Sequence, residues 1–220
     1  TTITINLNRL PVYMDVDTVD LDLDVGETAK IDADLYPPEA GSPTFNSSNT
    51  NVVTVDSNGN VNAVGEGEAT ITVSYAGTEK YAAVESVIIP VTVSKIETDI
   101  SVEEDSLELY VGDEDRLVAN LDPIEAGKLT YVSSNESVVT VDDKGNYKAV
   151  GEGKATITVS FAGDDKYAAA EDVDVEVSVS KIETDITVEE ESLELNVGDE
   201  GSIEAELEPV EAGRVTYVSS

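Results

Sequence analysis

Carboxylates are the side chains here with the means to do chemistry. The chain carries 47 Asp+Glu against 12 Lys+Arg, with no His and no Cys, for a formal net charge of −35. Acids crowd at Asp15, Asp17, Asp20, Asp22 and Asp24, at Glu103-Glu104-Asp105 and at Glu189-Glu190-Glu191. Glycoside hydrolysis needs two carboxyls at a set separation in a cleft. In a chain this acidic, close pairs arise by number alone, so no catalytic residue is assigned and no enzyme is expected. Without His or Cys there is no ordinary zinc site and no Ser-His or Cys-His nucleophile.

Hard cations are the better match, because they take several oxygen ligands. The loops Asp142-Asp143…Asn146 and Asp164-Asp165 and the junction Glu97…Asp99 can offer them. None follows the D-x-[DN]-x-[DN]-G pattern that ends in a bidentate Glu. Solvated acids are the plainer reading. No metal or cofactor site is assigned, and weak, diffuse Ca2+ binding is the most that is expected. Asn46-Ser47-Ser48 and Asn135-Glu136-Ser137 fit the N-x-S/T acceptor pattern, which makes Asn46 and Asn135 candidate glycosylation positions outside a cell. Asn135 corresponds to Asn49 in the preceding repeat, where Asn51 breaks the pattern, so glycosylation is not a repeated feature. A Lys-Asn isopeptide staple needs a buried Lys beside an acid. Lys95 and Lys181 sit at repeat junctions, which argues against one.

The charge excludes partners as well as chemistry. Nucleic acid needs a basic face, and anionic lipid repels an acidic one. Apolar runs such as Val87-Ile88-Ile89 are too short to span a bilayer. The opening Thr1-Thr2-Ile3-Thr4 reads as strand and not as a secretory signal. At 40% hydrophobic the chain can still build cores.

These residues recur with a fixed period. Lys95-Ile96-Glu97-Thr98-Asp99-Ile100 returns as Lys181-Ile182-Glu183-Thr184-Asp185-Ile186, an offset of 86. Val25-Gly26-Glu27, Val111-Gly112-Asp113 and Val197-Gly198-Asp199 share that offset, as do Gly65-Glu66-Gly67 and Gly151-Glu152-Gly153. Residues 10–95 and 96–181 are therefore complete repeats. Residues 182–220 begin a third, and 1–9 align with the closing strand of an earlier one. Both ends are expected to lean on material outside this window. The repeats carry net charges of −11 and −14, and the partial third −11, so acidity is spread along the chain and is not a tail.

Period-2 alternation runs through each repeat. Leu107-Glu108-Leu109-Tyr110-Val111 alternates and stops at the Gly112-Asp113 turn. Leu117, Ala119 and Leu121 alternate and stop at Pro123, which has no ladder donor. Leu129-Thr130-Tyr131 opens the next strand, and Val139 and Val141 flank Thr140. Asp142-Asp143-Lys144-Gly145-Asn146 is a hairpin signal. Ala155, Ile157, Val159 and Phe161, then Val173, Val175, Val177 and Val179, complete an all-β unit of about seven strands, a Greek-key sandwich. Tyr167-Ala168-Ala169-Ala170 offers at most one helical turn. Phe45, Tyr131 and Tyr217 recur at one place per repeat and are expected to anchor cores.

The ordered run Leu107-Glu108-Leu109-Tyr110-Val111-Gly112…Leu121-Asp122-Pro123…Tyr131-Val132-Ser133-Ser134-Asn135…Val138-Val139-Thr140-Val141-Asp142…Gly145…Ala149-Val150-Gly151-Glu152-Gly153-Lys154-Ala155-Thr156-Ile157-Thr158-Val159 resembles the group 2 bacterial immunoglobulin-like domain. It differs in carrying Phe45, Tyr131 and Tyr217 where that family often has Trp. The resemblance covers nearly the whole chain. It implies tandem Ig-like sandwiches of the kind found in invasin- and intimin-type adhesins and other adhesin-like surface proteins of bacteria and gut methanogens, with no catalytic residues to transfer.

The expectation is a structural stalk or fibre segment of an extracellular, cell-surface protein. Its partners are the neighbouring Ig-like repeats. A carbohydrate- or protein-binding adhesive module and a self-assembling filament subunit, paired with other copies of itself, are the alternatives. No Gly/Ser- or Pro-rich spacer separates the repeats, so neighbours should be stiffly coupled. Asp and Glu on edge strands are expected to resist edge-to-edge pairing.

Overall fold

The computed structural model describes residues 8–190 and 192–219, and within them it contains strands and 3-10 turns but no α-helix. The first repeat forms β1 (Tyr13–Val16), β2 (Leu21–Asp24), β3 (Thr28–Lys30), β4 (Ala33–Tyr36), β5 (Thr44–Ser47), β6 (Val53–Val55), β7 (Asn60–Ala63), β8 (Gly67–Tyr75) and β9 (Val84–Ser94). They assemble as a four-stranded sheet β2-β9-β8-β5, a three-stranded sheet β3-β7-β6 and a ribbon β1-β4. The second repeat returns the same set: β10 (Asp99–Val102), β11 (Ser106–Tyr110), β12 (Glu114–Arg116), β13 (Ala119–Asp122), β14 (Thr130–Ser133), β15 (Val139–Val141), β16 (Asn146–Ala149), β17 (Gly153–Ser160) and β18 (Val173–Ser180). Its sheets are β11-β18-β17-β14, β12-β16-β15 and β10-β13. The start of the third repeat pairs β19 (Asp185–Val188) with β20 (Ala205–Glu208). The expected closing strand at 1–9 lies largely outside the described residues.

Each full repeat therefore has nine short strands, where the alternation suggested about seven. Two elements account for the difference. β10 is a short ribbon strand at the repeat junction that the alternation does not mark. The segment 114–122 is two strands, because the chain changes sheets in its middle. β12 pairs with β16, and β13 pairs with β10. Leu117 N donates to Gly145 O at 2.9 Å at the crossing. Alternation continues through such a switch, so pattern alone hides it. Tyr167 sits in an isolated parallel bridge with Ile96 and not in a helical turn.

By compactness the chain groups into two units: residues 1–102 with 119–130 and 159–173, and residues 103–118 with 131–158 and 174–220. All described strand pairs, by contrast, lie within one repeat.

The cores follow the 86-residue offset. In the first repeat Ile31, Val53, Val61, Ile71, Val73, Ile89, Val91 and Val93 are almost fully buried and form one cluster with Met14 and Leu35 of the ribbon. In the second repeat Leu117, Val139, Tyr147, Ile157, Val159, Val175, Val177 and Val179 are buried at the matching places. Burying one such aliphatic side chain contributes about 1.5–3 kcal/mol, and with no disulfide these cores carry the fold. The expected inner face holds at Ala155, Ile157 and Val159, while Val141 and Tyr131 are only half-buried.

Candidate functional site: acidic loops, sheet edges and an aromatic ribbon

Charge at the loops is held by backbone amides. Asp142 Oδ1 accepts from Lys144 N at 2.8 Å and Asn146 N at 2.9 Å, and its Oδ2 accepts from Asn146 Nδ2 at 2.8 Å. Asp56 makes the same three bonds to Asn58 and Asn60. The Asn side chain is the main reason both carboxyls titrate below the ordinary range, with the backbone donors adding to it. Glu27, Asp113 and Asp199 each accept from a backbone N–H three residues back, on Asp24, Tyr110 and Asn196. Asp164 Oδ1 accepts from Tyr167 N and Lys166 N, both at 2.7 Å, and those bonds lower its pKa. Thr78 Oγ1 accepts from Tyr81 N in the first repeat. Acids at repeated loop positions thus close turns.

The sequence-nominated cation loops are not brought together. Asp142 and Asp164 each fold onto their own turn, and Asp99 faces Asp122 across the β10-β13 ribbon. Among the described residues, no three acidic side chains converge as metal ligands would. Asn46 and Asn135 are both exposed. Asn46 Nδ2 donates to Ser47 O at 3.3 Å. Asn135 Oδ1 accepts from Ser137 N at 3.1 Å and Ser137 Oγ at 2.6 Å, and Asn49 makes the matching bond to Asn51 N. Asn135 therefore builds a turn whether or not it carries sugar. Lys181 is exposed and pairs with Glu152 at 3.1 Å.

Two expectations change. Phe45 packs against the core of its repeat, but it and Tyr131 are only half-buried, each lying over the hairpin glycine. A β-carbon at Gly145, where φ is +82°, would sit 3.1 Å from Tyr131 Cζ and 2.9 Å from Leu117 O. Only glycine supplies that φ and that clearance together. Tyr217 is 60% exposed. The sheet edges are also unequal. β2 and β11 carry acids, but β5 (Thr-Phe-Asn-Ser) and β14 (Thr-Tyr-Val-Ser) are edges without charge. Thr44 and Thr130 instead bond to Ser74 and Ser160 on the strands beside them.

One feature escaped sequence reading. Tyr13 and Tyr36 face each other across the β1-β4 ribbon, 63% and 50% exposed, with ring centroids 6.5 Å apart and planes tilted by 32°. The matching residues are Asp99 and Asp122 in the second repeat, and Asp185 and Glu208 in the third. The 86-residue offset held that contrast, visible only once the two strands are paired.

The sequence pattern of the bacterial Ig-like domain (group 2) matches residues 14–84 and 97–171, one match in each complete repeat. The chain belongs to that family. As a group 2 Ig-like array it is also similar to an uncharacterized protein of Clostridium acetobutylicum, 34% identical over 140 residues. That match covers 62% of this chain and 14% of the clostridial protein. Among solved structures the array resembles the S-layer protein rSbsC(31-844), at 15% identity and a TM-score of 0.40, over 82% of this chain and 30% of that one. It also resembles Drosophila N-cadherin EC1-3, at 11% identity and a TM-score of 0.33, over 80% and 69%. A mutant of EHEC O157:H7 intimin matches at 20% identity and a TM-score of 0.27, over 42% and 50%. The described residues include no helix long and apolar enough to cross a membrane.

Proposed function

We propose that the chain is a stalk or fibre segment of an extracellular, adhesin-like surface protein, an array of acidic Ig-like modules that holds another group away from the cell. One observation carries this reading: the same nine strands in the same three sheets are written twice at an offset of 86, and the ribbon opens a third time. Only Lys95–Thr98 and Lys181–Thr184 lie between the closing strand of one repeat and the opening strand of the next. Links that short leave little freedom between neighbours. Repeats that bury their cores separately and touch only their neighbours build quasi-one-dimensional arrays. The repeated acids support the same reading. They close turns or stand in solvent, and a dense negative surface keeps parallel rods apart. Family membership supports the surface location.

The test is labelling of intact cells that make the protein, with antibodies raised against residues 10–181. The reading expects labelling without permeabilisation. Labelling that appears only after permeabilisation would count against it.

A further inference from the structure

The outward face of the β1-β4 ribbon is built unlike its copies. Alternation puts Met14 and Leu35 in the core and turns Tyr13, Asp15, Asp34 and Tyr36 outward. Register sets Tyr13 against Tyr36 and Asp15 against Asp34, so two aromatic rings and two carboxylates form one tile. In the second repeat the same four places hold Asp99, Asp122, Ser101 and Asn120. A ribbon of this kind thus folds without either ring, and the rings add exposed apolar surface to an otherwise acidic chain.

From this tile we infer a docking surface in the first repeat for a basic protein segment, with a lysine or arginine side chain seated over the tyrosines and bonded to Asp15 or Asp34. Cations bind the faces of aromatic rings within about 6 Å of the centroid. The chain already uses that contact: Lys80 lies 5.0 Å from the centroid of Tyr81, and Lys166 lies 5.1 Å from that of Tyr167. Those rings are buried and supplied with their own cation, whereas among the described residues no cation lies over Tyr13 or Tyr36. Lys30, on the neighbouring β3, is paired with Asp32. A net charge of −35 draws a basic partner in and disfavours an acidic one.

The test uses the whole 220-residue chain and the capped tripeptide Gly-Arg-Gly as probe, followed by amide NMR at physiological salt. The expected result is a saturable shift centred on Tyr13 and Tyr36, with smaller shifts at Asp99 and Asp122 as the control within the same molecule. Tyr13→Asp with Tyr36→Asp installs the residues that the second repeat tolerates and adds two negative charges. It should nonetheless weaken binding at least about fivefold, the loss of two exposed cation–π contacts. Tyr13→Phe with Tyr36→Phe keeps both ring faces and should bind as the parent does. Unchanged or tighter binding by the Asp variant would show diffuse electrostatics and overturn the inference. So would equal shifts on both ribbons, no saturable shift, or a tile that responds to maltotriose and not to the peptide.

Discussion

Single residues divide into those that fill cores and those that close turns. Ile157 and its counterpart Ile71 are fully buried at the centre of their sheets. Truncation to Ala should cost about 2–5 kcal/mol at either place, read as a lowered urea midpoint, because the neighbours fill the gap only in part. A cost below about 1 kcal/mol at one site would mean that the two cores are not packed alike. The turn-closing carboxylates set the response to acid. Asp56 and Asp142 are held below their ordinary range by their Asn partners, so they bind a proton less readily folded than unfolded. Their contribution is present above the unfolded Asp value of about 3.9 and is lost as pH falls through the lowered folded value. Surface repulsion works the other way and fades as pH approaches the sequence pI of about 4.1. Stability should therefore rise from pH 7 towards pH 4 and drop below it. Asp56→Asn with Asp142→Asn should flatten the acid side of that curve, seen in urea midpoints between about pH 2 and 5. An unchanged acid limb would mean that these bonds do not hold the turns. Ile157 was legible because alternation needs only the neighbouring residues. Which acids hold turns was not, because their donors, backbone N–H groups and Asn side chains two to four residues away, come within reach only once the loop has formed.

Elements show how far pattern reaches. β17 and β18 read directly from Ala155-x-Ile157-x-Val159 and Val175-x-Val177-x-Val179, since one face meets the core and the other meets water. β12 and β13 read as one strand because side chains keep alternating while the backbone changes partners. The half-burial of Phe45 and Tyr131 was likewise out of reach, since it depends on a hairpin glycine brought beneath the ring from a distant turn. The aromatic tile needed the register of β1 on β4. The edges lead to a prediction of their own. β14 offers an uncharged edge with Val132 60% exposed. Charge is the common protection of such an edge. Near pH 4, where the net charge vanishes, the chain should self-associate through it. Val132→Lys should reduce light scattering there and leave it unchanged at pH 7. Equal scattering by parent and variant near pH 4 would assign association to another surface.

For the whole molecule, repetition is the organising feature. Both complete repeats use one set of sheets, and the offset that revealed them in sequence is the offset between their buried residues. Asp185–Val188 and Ala205–Glu208 reproduce the opening ribbon, while Leu193, Leu195, Val197 and Ile203 are exposed. Amide exchange should therefore be slow across residues 10–181 and fast across most of 192–219. The most direct test of a stalk built from end-to-end modules is its length. Small-angle X-ray scattering compares the chain with a version lacking residues 96–181, a deletion of one whole repeat that rejoins the sequence in register. Strands of about seven residues rising about 3.4 Å each, with end loops, make each module roughly 35–45 Å long. For end-to-end modules the maximum dimension should fall by that amount while the cross-section stays the same. A maximum dimension that barely changes, with a thinner particle, would mean that the repeats lie side by side and would contradict the account.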